Sequence, residues 1–558
     1  MPFPELVISN SKQAVTALPG RADIAVFVGL VARRGGPVPE DIRAALTEAG
    51  WAGSGGFSRK PEAVEALLDV PVAVTSWGAF DGLYAWDQRR VAEGSALRIP
   101  CALGLAVRSF FAEGGAKAWI VRVGDPLPLI GAGTPANVVA QKRALVAGNP
   151  AIKPKDATVS APLIPGFGGG VGAPSTGDPA TWTGAAHIWG IEDAAMLALP
   201  DLPELFAGAP VALENPKGPP PVPEHFKACA ARGLPVDVDA ASHVPLAAPR
   251  LDMAGYDAWA RAIRHVLDML ARPGGAAHRR DVMLVASLPL PSQAEGAVPK
   301  GSAEWPLAVL NMDIIDVPAK DGKPAVTHKL LEADRLGSAR LQLSFPWIET
   351  EGSGLLPEGV EGGEGVLMGA IARSALAVGA FRSAAGQRLA TVRRTVPELG
   401  TAALRRALPG KDADWLGDRL SLIVRQIGGM VLYSDSTMAH SKAWRAGGVS
   451  RLAGIVLRAA RWLGQDRLFD LSGPKLWGRL RDDFEGFMEQ LRTLGALSGA
   501  CPRDAYEVRC DASTMTQSDI DAGRVIVSIS FTAALPIERI SVTLLLNDDG
   551  LTPFRAAA

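Results

Sequence analysis

The sequence predicts an α/β fold with an α+β arrangement towards its C-terminus, α/β (α+β), and three observations carry that prediction. Short, almost wholly apolar runs of strand length alternate with amphipathic stretches over residues 24–288, the pattern of a largely parallel, helix-covered sheet. A five-turn amphipathic helix near the C-terminus is followed by two segments of strict period-two alternation. Finally, 558 residues with 48% hydrophobic and 21% charged side chains hold enough apolar material for sizeable cores. That length predicts about three to five domains or one domain with large insertions.

Residues 1–20 read as an arm: Phe3, Pro4, Leu6, Val7 and Ile8 form a short β-prone run, and two early prolines suit an edge strand rather than a central one. Ile24–Val31 (IAVFVGLV) is a strand buried on both faces. Leu103, Val107, Phe110 and Phe111 recur at helical spacing, Gly114-Gly115 ends that helix, and Lys117–Val123 is the next strand. Residues 126–179 are punctuated by Pro and Gly and read as an irregular surface insertion. Ala195–Leu199 is a short buried strand, Tyr256–Leu270 an amphipathic helix, and Asp281–Leu288 a further buried strand.

In the last third, Leu476, Leu480, Phe484, Phe487, Met488, Leu491 and Leu494 make one apolar stripe of a helix. Its remaining positions include Arg479, Arg481, Asp482, Glu485, Glu489 and Arg492. Arg524–Phe531 then alternates, with Val525, Val527, Ile529 and Phe531 on one face, and Arg539–Leu546 does the same with Ile540, Val542, Leu544 and Leu546.

Charge and motif searches exclude several classes of function. A net charge of −1 gives no electrostatic call for nucleic acid or an anionic membrane. Cys101, Cys229, Cys501 and Cys510 have no CxxC spacing, so neither a disulfide framework nor a zinc site is expected, and a reducing compartment is the default. The seven histidines never form HxH, HExxH or HxxxH. The GxGxxA in Gly166–Ala173 is flanked by Pro165 and Pro174 instead of a strand and a helix, so it is no dinucleotide loop. Asp519 and Asp521 lack the remaining ligands of a calcium loop, and Asp519 reads as a capping carboxylate after Thr516. No catalytic, metal or cofactor residue is expected.

Several segments in chain order resemble the contractile tail sheath family of phages and related injection systems. They are PVAVTSWGAF (71–80), LGLAVRSFFAEGGAKAWIVRV (103–123), EDAAMLALPDL (192–202), SFPWIE (344–349), GVLMGAIARSALAVGAFRSAAGQRL (365–389) and, most specifically, the block 476–531 with its VRCD and TMTQ-x-DID-x-GR. Two departures mark a divergent branch. A WGARTL-like stretch is replaced by GGMVLYSDSTMAHSKAW (428–444), and the expected Pro-Ala-Glu is Pro536-Ile537-Glu538.

The resemblance implies a structural, non-enzymatic subunit that polymerises as stacked hexameric rings around an inner tube and contracts to drive the tube through a target envelope. A non-contractile structural or adhesive tail component and an α/β hydrolase are the alternative readings. Expected partners are further copies of the chain, the inner tube protein, and baseplate and tail-terminator or cap proteins. No nucleic acid, membrane insertion or cofactor is expected. Assembly is expected in the bacterial cytoplasm, and the mature chain in a phage tail or injection-system particle. The implied domains are an arm (1–20), a first sheath segment (21–125), the insertion (126–180), an outer α/β domain of subtilisin-like topology (181–380), an inner C-terminal sheath domain (381–536) and a C-terminal strand and arm (537–558). The implied linkage is β-strand exchange: Phe3, Leu6, Val7 and Ile8 from one neighbour and Ile540, Val542, Leu544 and Leu546 from another complete a sheet on the acceptor strand Val525, Val527, Ile529 and Phe531. An unpaired strand edge is a liability in a monomer and a connector in a polymer, so the residues fit this role independently. The charged helix face at Arg479, Arg481, Asp482, Glu485, Glu489 and Arg492 is expected to meet the inner tube.

Overall fold

The computed structural model describes residues 21–148, 160–169, 173–210, 246–271, 279–291, 336–399, 416–465, 473–521 and 524–534, with the short pieces 315–317, 326–328, 404, 546–547 and 550–551. Phe3, Leu6, Val7, Ile8, Ile540, Val542 and Leu544 lie outside the described residues. The chain divides into two compact units, Met1–Leu468 and Phe469–Ala558.

The first unit is built on one eight-stranded sheet. Its strands are β1 (Ala25–Leu30), β2 (Pro71–Val74), β3 (Ala118–Gly124), β4 (Met196–Ala198), β5 (Met283–Ser287), β6 (Leu341–Phe345), β7 (Ser421–Gln426) and β8 (Gly429–Leu432). In space they run β8-β7-β6-β5-β4-β1-β3-β2. The six central strands are mutually parallel, and the two edge strands are antiparallel to their neighbours. Strands from the stretches 21–125, 181–380 and 381–536 share this one sheet, those of the last stretch being strands the sequence reading did not identify. The apolar runs read from sequence are these strands: all residues of β1, β4, β5 and β6 are buried, as covering on both faces requires.

The longer helices of this unit are α1 (Ala102–Ala112), α2 (Pro135–Ala147), α3 (Met253–Ala271), α4 (Glu364–Val378) and α5 (Gly447–Gln465), with shorter ones besides. The crossing of α1 and α4 needs glycine. A Cβ on Gly365 would lie 2.2 Å from the Ala106 carbonyl oxygen, and one on Gly369 would lie 2.6 Å from that of Phe110. The two backbones approach more closely than any larger residue would allow.

Helix α2 corrects the expectation of a wholly irregular stretch over 126–179. Thr134 caps it by accepting from the Asn137 amide (3.4 Å), and Pro135 sits in its first turn. Only Val138, Lys142 and Val146 are buried, a stripe too narrow to show as an amphipathic pattern among the scattered alanines and valines.

Candidate functional site: an open-edged sheet and a filled cleft

The second unit carries the charged helix and the acceptor strand that the sequence assigned to assembly. Helix α6 (Pro474–Thr493) buries Leu476, Leu480, Phe484, Met488 and Leu491, at spacings of four, four, four and three. Each such burial contributes roughly 1.5–3 kcal/mol, which is why a 20-residue helix of mixed charge holds its place. Gly495, at φ +77°, ends it in the left-handed conformation, and the Ala496 amide closes the turn on the Leu491 carbonyl (3.0 Å). Leu494, counted with the stripe by spacing, is 56% exposed because it lies past the last helical turn.

Strand β9 (Tyr506–Arg509) pairs antiparallel with β10 (Ser528–Phe531), Val508 opposite Ile529 and Tyr506 opposite Phe531. The expected strand was Arg524–Phe531, so Val525 and Val527 precede the ladder rather than join it. Their side still alternates: Val525, Val527, Ile529 and Phe531 are half-buried, and the even positions Arg524, Ile526, Ser528 and Ser530 are exposed. The connection between the strands is held by a capping box. The Asp519 carboxylate accepts from the Thr516 amide (3.0 Å) and hydroxyl (2.6 Å), while the Thr516 hydroxyl accepts from the Asp519 amide (3.2 Å). These bonds hold the Asp519 pKa below the ordinary carboxylate range, with Arg524 adding to the effect at 2.7 Å. Asp519 is thus the capping carboxylate its position predicted.

Among the described residues this sheet has only two strands, so each of β9 and β10 has one strand neighbour and one outer edge. Leu546–Asn547 pairs with Gly550–Leu551 in a separate two-residue ladder. Arg479, Arg481, Asp482 and Glu485 are exposed on α6, and Glu489 and Arg492 are half-buried in an ion pair at 2.5 Å. Arg481 pairs with Asp482 (3.3 Å) and Glu485 (3.7 Å). The charged face is largely neutralised within itself, by exposed pairs that water screens.

The first unit contains the place where an open α/β sheet usually binds a ligand, the crevice at the carboxyl ends of the strands where the strand order reverses. Here that point lies between β1 and β4, and protein fills it. Asp201, just after β4, accepts from the Leu30 amide at the end of β1 (2.7 Å). Arg89 pairs with Glu204, Glu361 accepts from Ser109 (3.2 Å) and Thr350, and Glu364 accepts from Ser287. The remaining cavity is about 40 Å³. Burial pushes Asp201 and Glu361 up to about 7, with Glu204 reinforcing the first and Glu364 the second. Nearby, burial pushes the Cys101 thiol up to about 12, away from any nucleophilic role.

Sequence reasoning missed a histidine–aspartate pair formed across 118 residues: His187 Nε2 lies 3.0 Å from Asp69 Oδ1, and Arg59 and the Gly184 amide also bind Asp69. His187 is 1% exposed and packs edge-on against Trp51, so the pair is sealed in the core. No local spacing signals a contact between residues so far apart. Among the described residues no group of three or more His, Cys, Asp or Glu could hold a metal, and no described helix is long and apolar enough to cross a membrane.

One unit holds a wide, mostly parallel sheet with a filled crevice and the other a two-stranded sheet with open edges, which defines an α/β (α+β) protein, and comparison with solved structures gives the particular fold. The chain is similar to a chain of the anti-feeding prophage (AFP) baseplate in contracted state, at 16% identity over 98% of each chain with a TM-score of 0.54. It is also similar to one of the six-fold symmetrised AFP baseplate, at 14% identity over 98% of this chain and 99% of that one with a TM-score of 0.51. For the AFP helical sheath in contracted state the values are 16% identity, 98% and 100% coverage and a TM-score of 0.49. No protein-family model and no curated relative matches the sequence. The chain has the contractile-sheath fold in a divergent form, as the resemblance of its segments implied.

Proposed function

We propose that this chain is the structural subunit of a contractile sheath that assembles around an inner tube and shortens to drive it through a target envelope. The observation that carries this reading is the likeness in fold along nearly the whole of both chains to a component of a contractile particle. The open edges of β9 and β10 support the finer reading, in which stacked hexameric rings are linked by strand exchange. Donors at Phe3, Leu6, Val7 and Ile8 and at Ile540, Val542, Leu544 and Leu546 add to an acceptor at Ile529 and Phe531, with Val525 and Val527 leading into it. Donor and acceptor patches differ, so the contact is heterologous and propagates as a helix. The parallel-sheet unit is the part for which a subtilisin-like topology is expected, and α6 presents its exposed charges to the tube. Contraction needs no nucleotide in this scheme: a few kcal/mol between two packings, summed over many subunits, drives the stroke.

Negative-stain microscopy of the expressed chain tests the proposal. Long striated tubes are expected, and deletion of residues 1–15 is expected to abolish them without unfolding the protein. Dispersed monomers at high concentration would sink the sheath reading. Tubes unaffected by the deletion would instead favour a non-contractile tail component.

A further inference from the structure

The opposite edge of the large sheet, at the amino ends of β1, β4, β5 and β6, holds an excess of arginine with too few acceptors. Two buried carboxylates serve this region: Asp23, just before β1, is taken by Arg21 (2.6 Å), and Asp281, just before β5, by other arginines. Asp281 Oδ1 takes Arg279 (3.2 Å) and Arg461 (3.0 Å), its Oδ2 takes Arg279 (3.1 Å), and its main-chain carbonyl takes Arg458 (3.0 Å). With these cations around it, Asp281 is lowered to about 2, so its charge is committed.

Arg458, on α5, is 8% exposed. Its NH1 nitrogen is used on Asp281, but its Nε and NH2 are buried and have no hydrogen-bond partner among the described residues. The same is true of Nε of Arg340, just before β6. Both side chains line a cleft of about 10 Å³ together with Arg280, Arg451, Ser450 and Asp281, whose carboxylate is already taken by Arg279 and Arg461. That is room for one water-sized group. Burial lowers Arg458 to about 10, and it lowers Arg340 with Arg280 adding to the effect, so each guanidinium is held where its charge is poorly compensated.

A buried donor without an acceptor costs about as much as a lost hydrogen bond, and more when it is charged. A neutral ligand would satisfy the donors and leave the charge. One anionic atom satisfies both. We infer that this cleft binds a small anion, either chloride or one oxygen of a carboxylate, between Arg458 and Arg340. The carboxylate can come from solution or from an acidic side chain of a second copy of the chain, and the two sources share the same chemistry.

The chloride NMR line width, measured with the full-length chain added to sodium chloride, tests this directly. Saturable broadening that sodium acetate reverses is expected. Arg458→Gln is expected to weaken chloride binding about tenfold or more, as loss of a charge-assisted hydrogen bond implies. Arg340→Gln, whose side chain makes no bond to Asp281, is expected to weaken it too, and it decides the matter if Arg458→Gln does not fold. Broadening by dispersed chains alone, and none by assembled ones, assigns the anion to a carboxylate of a second copy. Equal broadening in both states assigns it to a free anion. No saturable broadening in either state, or undiminished broadening in a folded Arg340→Gln protein, overturns the inference.

Discussion

The two units treat their sheet edges in opposite ways. In the first, β8 is covered by main-chain bonds, the Gly386 and Leu389 amides donating to the Leu432 and Met430 carbonyls and the Leu432 amide to that of Gln387, and the other edge strand, β2, is only four residues long and begins at Pro71. In the second, β9 and β10 have exposed side chains at every other position and outer edges without a ladder partner among the described residues. A covered or short edge keeps a soluble unit from joining its neighbours, whereas an open edge invites a strand. The sheet of the first unit thus ends in covered or short edges, whereas that of the second has open edges among the described residues, which the proposed function fills with a neighbour's strands.

The largest expected effect tests whether the first unit is closed on itself. Asp435 accepts from Arg451 (2.6 and 3.0 Å), Gln342 (2.7 Å) and the Ala384 amide (2.8 Å) in the core. Asp435→Ala leaves Arg451 buried without its counter-ion and should destabilise this unit by about 3–5 kcal/mol in denaturant unfolding. A transition assigned to α6 and β9–β10 should stay in place, and a common shift of both would break the contrast between the units.

A pH series sharpens the same contrast. Asp201 and Glu361 keep their protons up to about pH 7 in the folded chain. The unfolded chain releases them near pH 4, so stability falls as the pH rises from about 4 through 7 and is flat above. The fall should be about 4 kcal/mol per group in all, about 3 of it between pH 5 and pH 8, read as a melting temperature several degrees lower at pH 8 than at pH 5. Glu361→Gln should flatten this slope; an unchanged slope would place its origin elsewhere.

The smallest effect probes the second unit alone. Thr516→Ala removes one half of the capping box and should cost about 1 kcal/mol. Local hydrogen exchange around residues 516–521 should rise with no change in the first unit.

Much of the fold was legible because burial writes its period into the sequence. IAVFVGLV and DVMLVASL could only be strands covered on both faces, and the stripe from Leu476 to Leu491 could only be a helix with one face on a core. Asp519 was readable as a cap because its partner stands three residues away. Helix α2 was not legible, since a helix touching its surroundings through three residues leaves no stripe. The segment 428–444, a departure from the resembling family, turned out to supply the edge strand β8 and the buried acceptor Asp435, and no spacing announces either.

The sequence by itself determined the types of the elements with a clear burial period, the absence of local catalytic and metal-binding motifs, and the family of folds, because each of these rests on residues near one another along the chain. Tertiary structure alone decided the strand order, the filling of the crevice by Asp201 and Glu361, the pairing of His187 with Asp69, and the gathering of Arg340 and Arg458 around one small cleft. These are contacts between residues tens to hundreds of positions apart, where burial replaces water with a few fixed partners and thereby sets the charge and reactivity of each group.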